Sequence, residues 1–208
     1  MEKQDLNLLQ QKVTMLRTEG KYKDTIEAGY ELLKVGIELK DYKSILTAYI
    51  NNAASFYCVG DIEEAFNCID QYTEVCTKHG DEADWVNLYN VSFLLYETNK
   101  DYIKAKETLE KSIQLAGKLE KYNIVSNGYS NLSHVYMMEG NFEKALEMVN
   151  ALLNDEDVKE YSEHTRILAR KYLEDAGAKG ETLEELAEDL KTKAVDLKGG
   201  RTLTKDKK

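Results

Sequence analysis

Proline is missing from all 208 residues, and glycine is scarce at 12. Without proline the commonest helix breaker is gone, and few glycines leave few permissive hinges. Lys, Glu, Leu and Ala dominate what remains, a composition that favours helix almost throughout. Cysteine is also rare. Cys58, Cys68 and Cys76 show no C-x-x-C spacing, and an odd, sparse set suits free thiols in a reducing compartment better than a disulfide framework. No window approaches eighteen uninterrupted apolar residues, which argues against a membrane span. The opening MEKQDLNLLQ has no basic region followed by an apolar run, so it does not read as a secretory signal. A cytoplasmic protein with no membrane partner is the expectation.

Positive charge is short as well. The formal net charge is -10, which argues against nucleic acid, since a nucleic-acid surface needs a basic stripe. The tail RTLTKDKK holds four basic residues and one acid, a surplus of +3, so the other residues carry -13. Histidine occurs only as His79, His134 and His164, none with a second histidine or a cysteine at ligand spacing. Cys68 and Cys76 stand eight apart with His79 following. Two structural thiols are a better account of them than a metal site. Nucleophile-elbow, phosphate-loop and dinucleotide glycine patterns are all absent. Pairs such as Glu63-Glu64 and Glu184-Glu185 suit helix starts, where the dipole favours acids. No catalytic residue, metal or cofactor is expected.

What the chain does have is a period. Gly20, Gly60, Lys100, Gly140 and Gly180 form one series forty apart. Two residues after the first four stand Tyr22, Ile62, Tyr102 and Phe142. Five after them stand Thr25, Ala65, Ala105 and Ala145. Before the turns, Tyr49, Tyr89 and Tyr129 form one column, and Leu16, Phe56, Tyr96 and Tyr136 another. A run such as Tyr129, Leu132 and Tyr136 has helical spacing and predicts an amphipathic first helix. Glycine at the turn permits the left-handed conformation that closes that helix. Asp61, Asp101 and Asn141 then fall where a second helix needs an N-cap. The small residue one turn further on lets the two helices approach closely. Such a hairpin cannot bury its apolar face alone, so neighbours must stack.

These columns resemble the tetratricopeptide repeat over roughly Leu6 to Leu197, most clearly in units two to four. The usual period is 34 residues with a closing proline; here it is 40 and proline is absent. The longer form is similar to repeats in bacterial peptide-sensing regulators and in the sensory modules of signalling enzymes. The resemblance implies an all-α, right-handed superhelical solenoid of about five hairpins, turning near 20, 60, 100, 140 and 180 and spanning residues 1–198. Residues 199–208 are expected to be a flexible basic tail. In the fifth unit, Thr182 and Glu185 predict a capping box. Leu183, Leu186, Ala187 and Leu190 give the final helix one apolar face to close the stack.

The resemblance further implies a concave groove lined by the first helices. Counting from the packing tyrosines, the inward positions are Asn7, Gln10, Thr14 and Arg17 in unit one. Unit two offers Thr47, Ile50, Ala54 and Tyr57, and unit three offers Asn87, Asn90, Leu94 and Glu97. Unit four offers Asn127, Ser130, His134 and Met137, and Arg170 follows in unit five. Arg17, Tyr57, Asn87, Asn90, Asn127, Ser130 and His134 are the candidate binding residues. Their amides and hydroxyls both donate and accept, which suits the backbone of an extended peptide. The lysine and asparagine pattern that clamps a C-terminal carboxylate in some family members is not reproduced. Trp85 reads as local packing rather than a partner anchor. The functional expectation is a non-catalytic scaffold or adaptor for a protein or peptide. The alternative is a sensor that binds a short peptide and regulates an output partner. Self-association into a homo-oligomer is left open.

Overall fold

In the computed structural model of the chain, residues 3–158, 160 and 163–198 are described. The basic tail expected from sequence lies outside them. Ten helices and no strand occur among the described residues. They are α1 (Lys3–Thr18), α2 (Tyr22–Leu39), α3 (Tyr42–Val59), α4 (Ile62–His79), α5 (Glu82–Thr98), α6 (Tyr102–Lys118), α7 (Tyr122–Met138), α8 (Phe142–Asn154), α9 (Glu163–Asp175) and α10 (Leu183–Lys198). Trp85 lies inside α5.

The turns follow a finer period than the glycines suggest. Left-handed residues stand at Gly20, Lys40, Gly60, Lys100, Glu120 and Gly140, with φ between 54° and 85°. A turn therefore falls every twenty residues, once per helix, except at Gly80, whose φ is -80°. At each of the six, the next residue's N–H reaches back along the chain to a carbonyl in the last turn of the helix. Asp41 to Gly36 and Asp61 to Phe56 show the pattern, at 2.8 and 2.9 Å. This double closure satisfies carbonyls that the helix end would otherwise leave bare. Gly80 instead packs so tightly on its own helix end that an added Cβ would lie 2.7 Å from the Cys76 carbonyl oxygen.

The fifth turn departs from the predicted register. The left-handed residue is Gly177 (φ 88°) rather than Gly180, and Ala178 N–H closes on the Leu173 carbonyl at 3.0 Å. Gly180 serves close packing: a Cβ there would come within 2.7 Å of the Glu185 Cβ. Side-chain caps follow most of the turns, but Lys21 and Lys121, after Gly20 and Glu120, make none. Asp41, Asp61, Asp101 and Asn141 accept from the backbone N–H three residues on, and Asp81 with Asp84 forms a reciprocal capping box. Thr182 and Glu185 form the predicted box at α10.

The chain divides into two compact units, Met1–Leu115 and Ala116–Lys208. In the first, α1 to α5 pack each on the next, and α3 also packs on both α1 and α5. These odd-numbered helices form an inner layer backed by α2 and α4. The small column closes the hairpins: Thr25, Ala65 and Ala105 are all fully buried. Between α2 and α3 the approach is closer still, for a Cβ on Gly29 would collide with the Asn52 amide. One core holds Leu46, Ala53, Ile69, Tyr72, Leu88 and Leu95. The other holds Leu6, Leu9, Val13, Leu32 and Val35.

Lys43, at the start of α3, bridges to the start of α5. Its ammonium lies 2.8 Å from Asp81 and 2.7 Å from Asp84. The Tyr72 hydroxyl donates to the Asp84 carbonyl at 2.9 Å, which ties α4 to the same corner.

In the second unit α7 pairs with α8 and packs on α9, and α10 contacts both α8 and α9. Ser126 and Thr165 share a buried hydrogen bond of 2.6 Å between α7 and α9. Leu183, Leu186 and Leu190 of α10 are buried, as the apolar face read from sequence requires.

Candidate functional site

The inner layer of the first unit encloses an open cleft of about 500 Å³. Helix α1 contributes Thr14 and Arg17. Helix α3 contributes Thr47, Ile50, Asn51 and Ala54. Helix α5 contributes Asn87, Asn90, Val91 and Leu94. Only α1, α3 and α5 take part, because their i, i+3, i+4 spacing turns one stripe of each helix towards the same side. Polar and apolar positions mix along the stripes. The cleft therefore has amides and a guanidinium over a lining of Ile50, Ala54, Val91 and Leu94.

The polar groups are held in place. Arg17 Nε donates to Asn51 Oδ1 at 2.8 Å, and Asn51 Nδ2 donates to the Thr47 carbonyl at 2.7 Å. Ser112 of α6 donates its hydroxyl to Asn90 Oδ1 at 2.8 Å. Gln10 bonds Ser44 at 2.7 Å one stretch along from Arg17.

Of the residues proposed from sequence, the structure brings Arg17, Asn87 and Asn90 to this cleft. Tyr57 does not line it. Its half-buried ring packs on the core beneath, since one further helical turn carries it past the stripe. Asn51 and Val91 line the cleft and were missed. Each follows a predicted residue by one position, and a helix stripe is wide enough to present two adjacent side chains.

Asn127, Ser130 and His134 belong to the second unit. Asn127 is exposed there, but Ser130 is fully buried and its hydroxyl has no partner among the described residues. The expectation that Ser130 faces a groove is corrected: it packs as a small interior residue. His134 stacks on Tyr172, ring centroids 4.2 Å apart. Together with Met137, Met138 and Asp175 the two rings line a cavity of about 330 Å³. Arg170 is turned to the chain itself, its Nε bonding Glu174 and its Nη1 the Glu181 carbonyl, at 2.8 and 2.5 Å.

The cysteines are free; Cys68 and Cys76 are buried and Cys58 is exposed. Burial pushes the Cys68 and Cys76 thiols up to about 11, which keeps them protonated and poorly nucleophilic. Among the described residues no group of three or more His, Cys, Asp or Glu is placed to hold a metal. The tyrosine column packs rather than reacts: burial raises the Tyr49, Tyr89 and Tyr129 phenols above their ordinary range. Trp85 lies tilted against Tyr89 at 5.9 Å. No helix among the described residues is long and apolar enough to cross a membrane.

Hairpins closed at left-handed turns and stacked through their odd-numbered helices define a tetratricopeptide-like helical-repeat fold. Solved structures of that class are similar to this chain over most of its length. A Podosopora anserina putative kinesin light chain of nearly identical TPR-like repeats matches with a TM-score of 0.66 at 16% identity, covering 95% of this chain and 98% of that one. A variant of the same repeats covers 97% of this chain and 100% of that one, at the same TM-score of 0.66 and 15% identity. BtubC (BKLC) from P. vanneervenii matches with a TM-score of 0.67 at 15% identity, covering 94% of this chain and 80% of that one. No protein-family model matches the chain, and no curated protein matches it in sequence.

Proposed function

We propose that this protein is a non-catalytic binding module, an adaptor that holds a peptide segment of another protein in the cleft of its first unit. One observation carries the reading. The cleft is built wholly from the stacked inner helices, and it sets hydrogen-bonding amides over an apolar lining. An extended peptide needs both kinds of contact, partners for its N–H and C=O groups and cover for its side chains. The fold likeness supports a repeat scaffold and leaves the occupant unspecified.

The test uses the full chain as bait, with the recovered partner then purified and titrated by calorimetry. Asn87 is exposed on α5 at the cleft, so Asn87→Tyr fills the opening; it also removes the Asn87 amide from the buried Tyr72 hydroxyl. Glu107→Tyr makes the same change on an exposed position of α6, away from the cleft. Asn87→Tyr is expected to weaken the partner tenfold or more, with circular dichroism unchanged, and Glu107→Tyr to leave affinity within twofold. The opposite pattern would move the binding surface to the outer helices.

A further inference from the structure

We propose that the cleft of the first unit is a receptor for one carboxylate, carried by an otherwise apolar peptide segment, with Arg17 as its cation and Asn90 as a neighbouring donor. The inference rests on the cleft being the binding site, as proposed above, and adds the chemistry of what enters it.

The argument is an account of donors and acceptors. Asn51 is spent at both ends, its oxygen on Arg17 and its amide nitrogen on the Thr47 carbonyl. The bond to Arg17 uses only Nε. The two terminal amino groups of the guanidinium have no partner among the described residues, and they form the edge that matches a carboxylate bidentately. Asn90 has its oxygen occupied by the Ser112 hydroxyl, so what it has left to offer is its amide N–H₂. Asn87 and the Thr14 and Thr47 hydroxyls add acceptors, but the strongest open donors are those of Arg17, and the one formal charge among the described lining residues is positive. That favours an anionic oxygen over a neutral peptide backbone, the recognition expected from the asparagines alone.

Charge selects the kind of anion. Residues 1–115 hold 13 Lys and Arg against 20 Asp and Glu, a balance of -7. A phosphate would bring about -1.5 to -2, which one arginine does not neutralise, into a unit already acidic. A run of several acids meets the same repulsion. A single carboxylate is matched by a single guanidinium. Ile50, Ala54, Val91 and Leu94 then ask for apolar neighbours on either side of it.

Labelled nonapeptide pools test this, with Glu, Gln, phosphoserine or Lys at the centre and randomised apolar residues around it. Each pool is titrated by fluorescence anisotropy against the full chain, Arg17→Gln and Asn87→Tyr. Arg17 is exposed, so its replacement leaves the core intact, and circular dichroism checks this. The Glu pool is expected to bind wild type at least tenfold more tightly than the Gln pool. Arg17→Gln should shrink that preference below twofold, and Asn87→Tyr should weaken all pools together. If Gln binds as well as Glu, or the preference survives Arg17→Gln, the carboxylate receptor is overturned while a block by Asn87→Tyr keeps the cleft as the site. Tightest binding of the phosphoserine pool overturns it in favour of a phosphate site. Binding indifferent to Asn87→Tyr, or no binding by any pool, overturns the cleft and the receptor together.

Discussion

Arg17 on α1 and Asn51 on α3 are joined by a 2.8 Å hydrogen bond, and Gln10 and Ser44 are joined at 2.7 Å with the same separation of 34 residues. Two bonds at one offset, two helical turns apart, pin the register of the first two inner helices. They also fix the guanidinium at the cleft.

A double-mutant cycle measures the tie. Arg17→Met keeps most of the side-chain volume, and Asn51→Ala removes the acceptor. The pair should couple by about 0.5–1 kcal/mol in urea unfolding, the usual net worth of a part-buried hydrogen bond. Strictly additive single effects would mean that the register is held by apolar contacts alone.

The turns supply a matched pair. Lys100 sits at φ 59° and Gly60 at φ 85°, in equivalent closures of successive hairpins. A left-handed residue with a Cβ is strained by about 1–2 kcal/mol, whereas glycine costs about 0.4–1 kcal/mol through the freedom of the unfolded chain. Lys100→Gly should therefore be neutral to stabilising, by no more than about 1 kcal/mol. Gly60→Ala should destabilise by about 1 kcal/mol on strain alone, since nothing lies within 4 Å of a Cβ there. Denaturant midpoints decide it, and destabilisation by Lys100→Gly would show that the lysine side chain does more than occupy a turn.

Acid should loosen the corner between α3 and α5. The hydrogen bond from Lys43, aided by backbone N–H groups, holds the Asp81 carboxyl below its ordinary 3.8. A depressed carboxyl adds stability above its unfolded value and loses it as pH falls through the folded one. Asp81→Asn keeps an N-cap but cannot titrate or pair with Lys43. Because the pair is well exposed, the gap between wild type and Asp81→Asn should be only some tenths of a kcal/mol around neutral pH. It should close as pH drops below 3.8. A gap that stays constant far into the acid range would assign the effect to the cap rather than the charge.

How much of this was readable beforehand follows from what each column does. Ala65, Ala105 and Ala145 announce the hairpins because a small residue recurs where two helices approach, and all three are fully buried. Lys40 and Glu120 concealed the twenty-residue period, since closure geometry tolerates a strained side chain and leaves no glycine to read. Gly180 misled by three residues: it kept the spacing for close packing, while Gly177 took the turn. At the cleft, stripe counting found Arg17, Asn87 and Asn90. It could not show that Ser112 occupies Asn90, or that Ser130 points inward, because both depend on how neighbouring helices meet. Hydrogen-bond polarity, on which the proposed preference for an anion rests, became visible only once those partners were in place.

The end of the second unit offers the strongest stability test. Leu186 is 1% exposed on α10, and α10 covers both α8 and α9. Repeat stacks gain their stability from contacts between neighbouring helices. Leu186→Ala should cost about 2–5 kcal/mol, transfer plus cavity, and removing residues 181–208 should go further. The buried faces of α8, with Leu146 and Val149, and of α9, with Ala169 and Leu173, would lose cover and promote aggregation. Sedimentation and circular dichroism on the truncated chain report both effects. A monomeric truncation that loses no more helicity than α10 itself contributed would show that α10 is an appendage, and that α7, α8 and α9 close their own core without it.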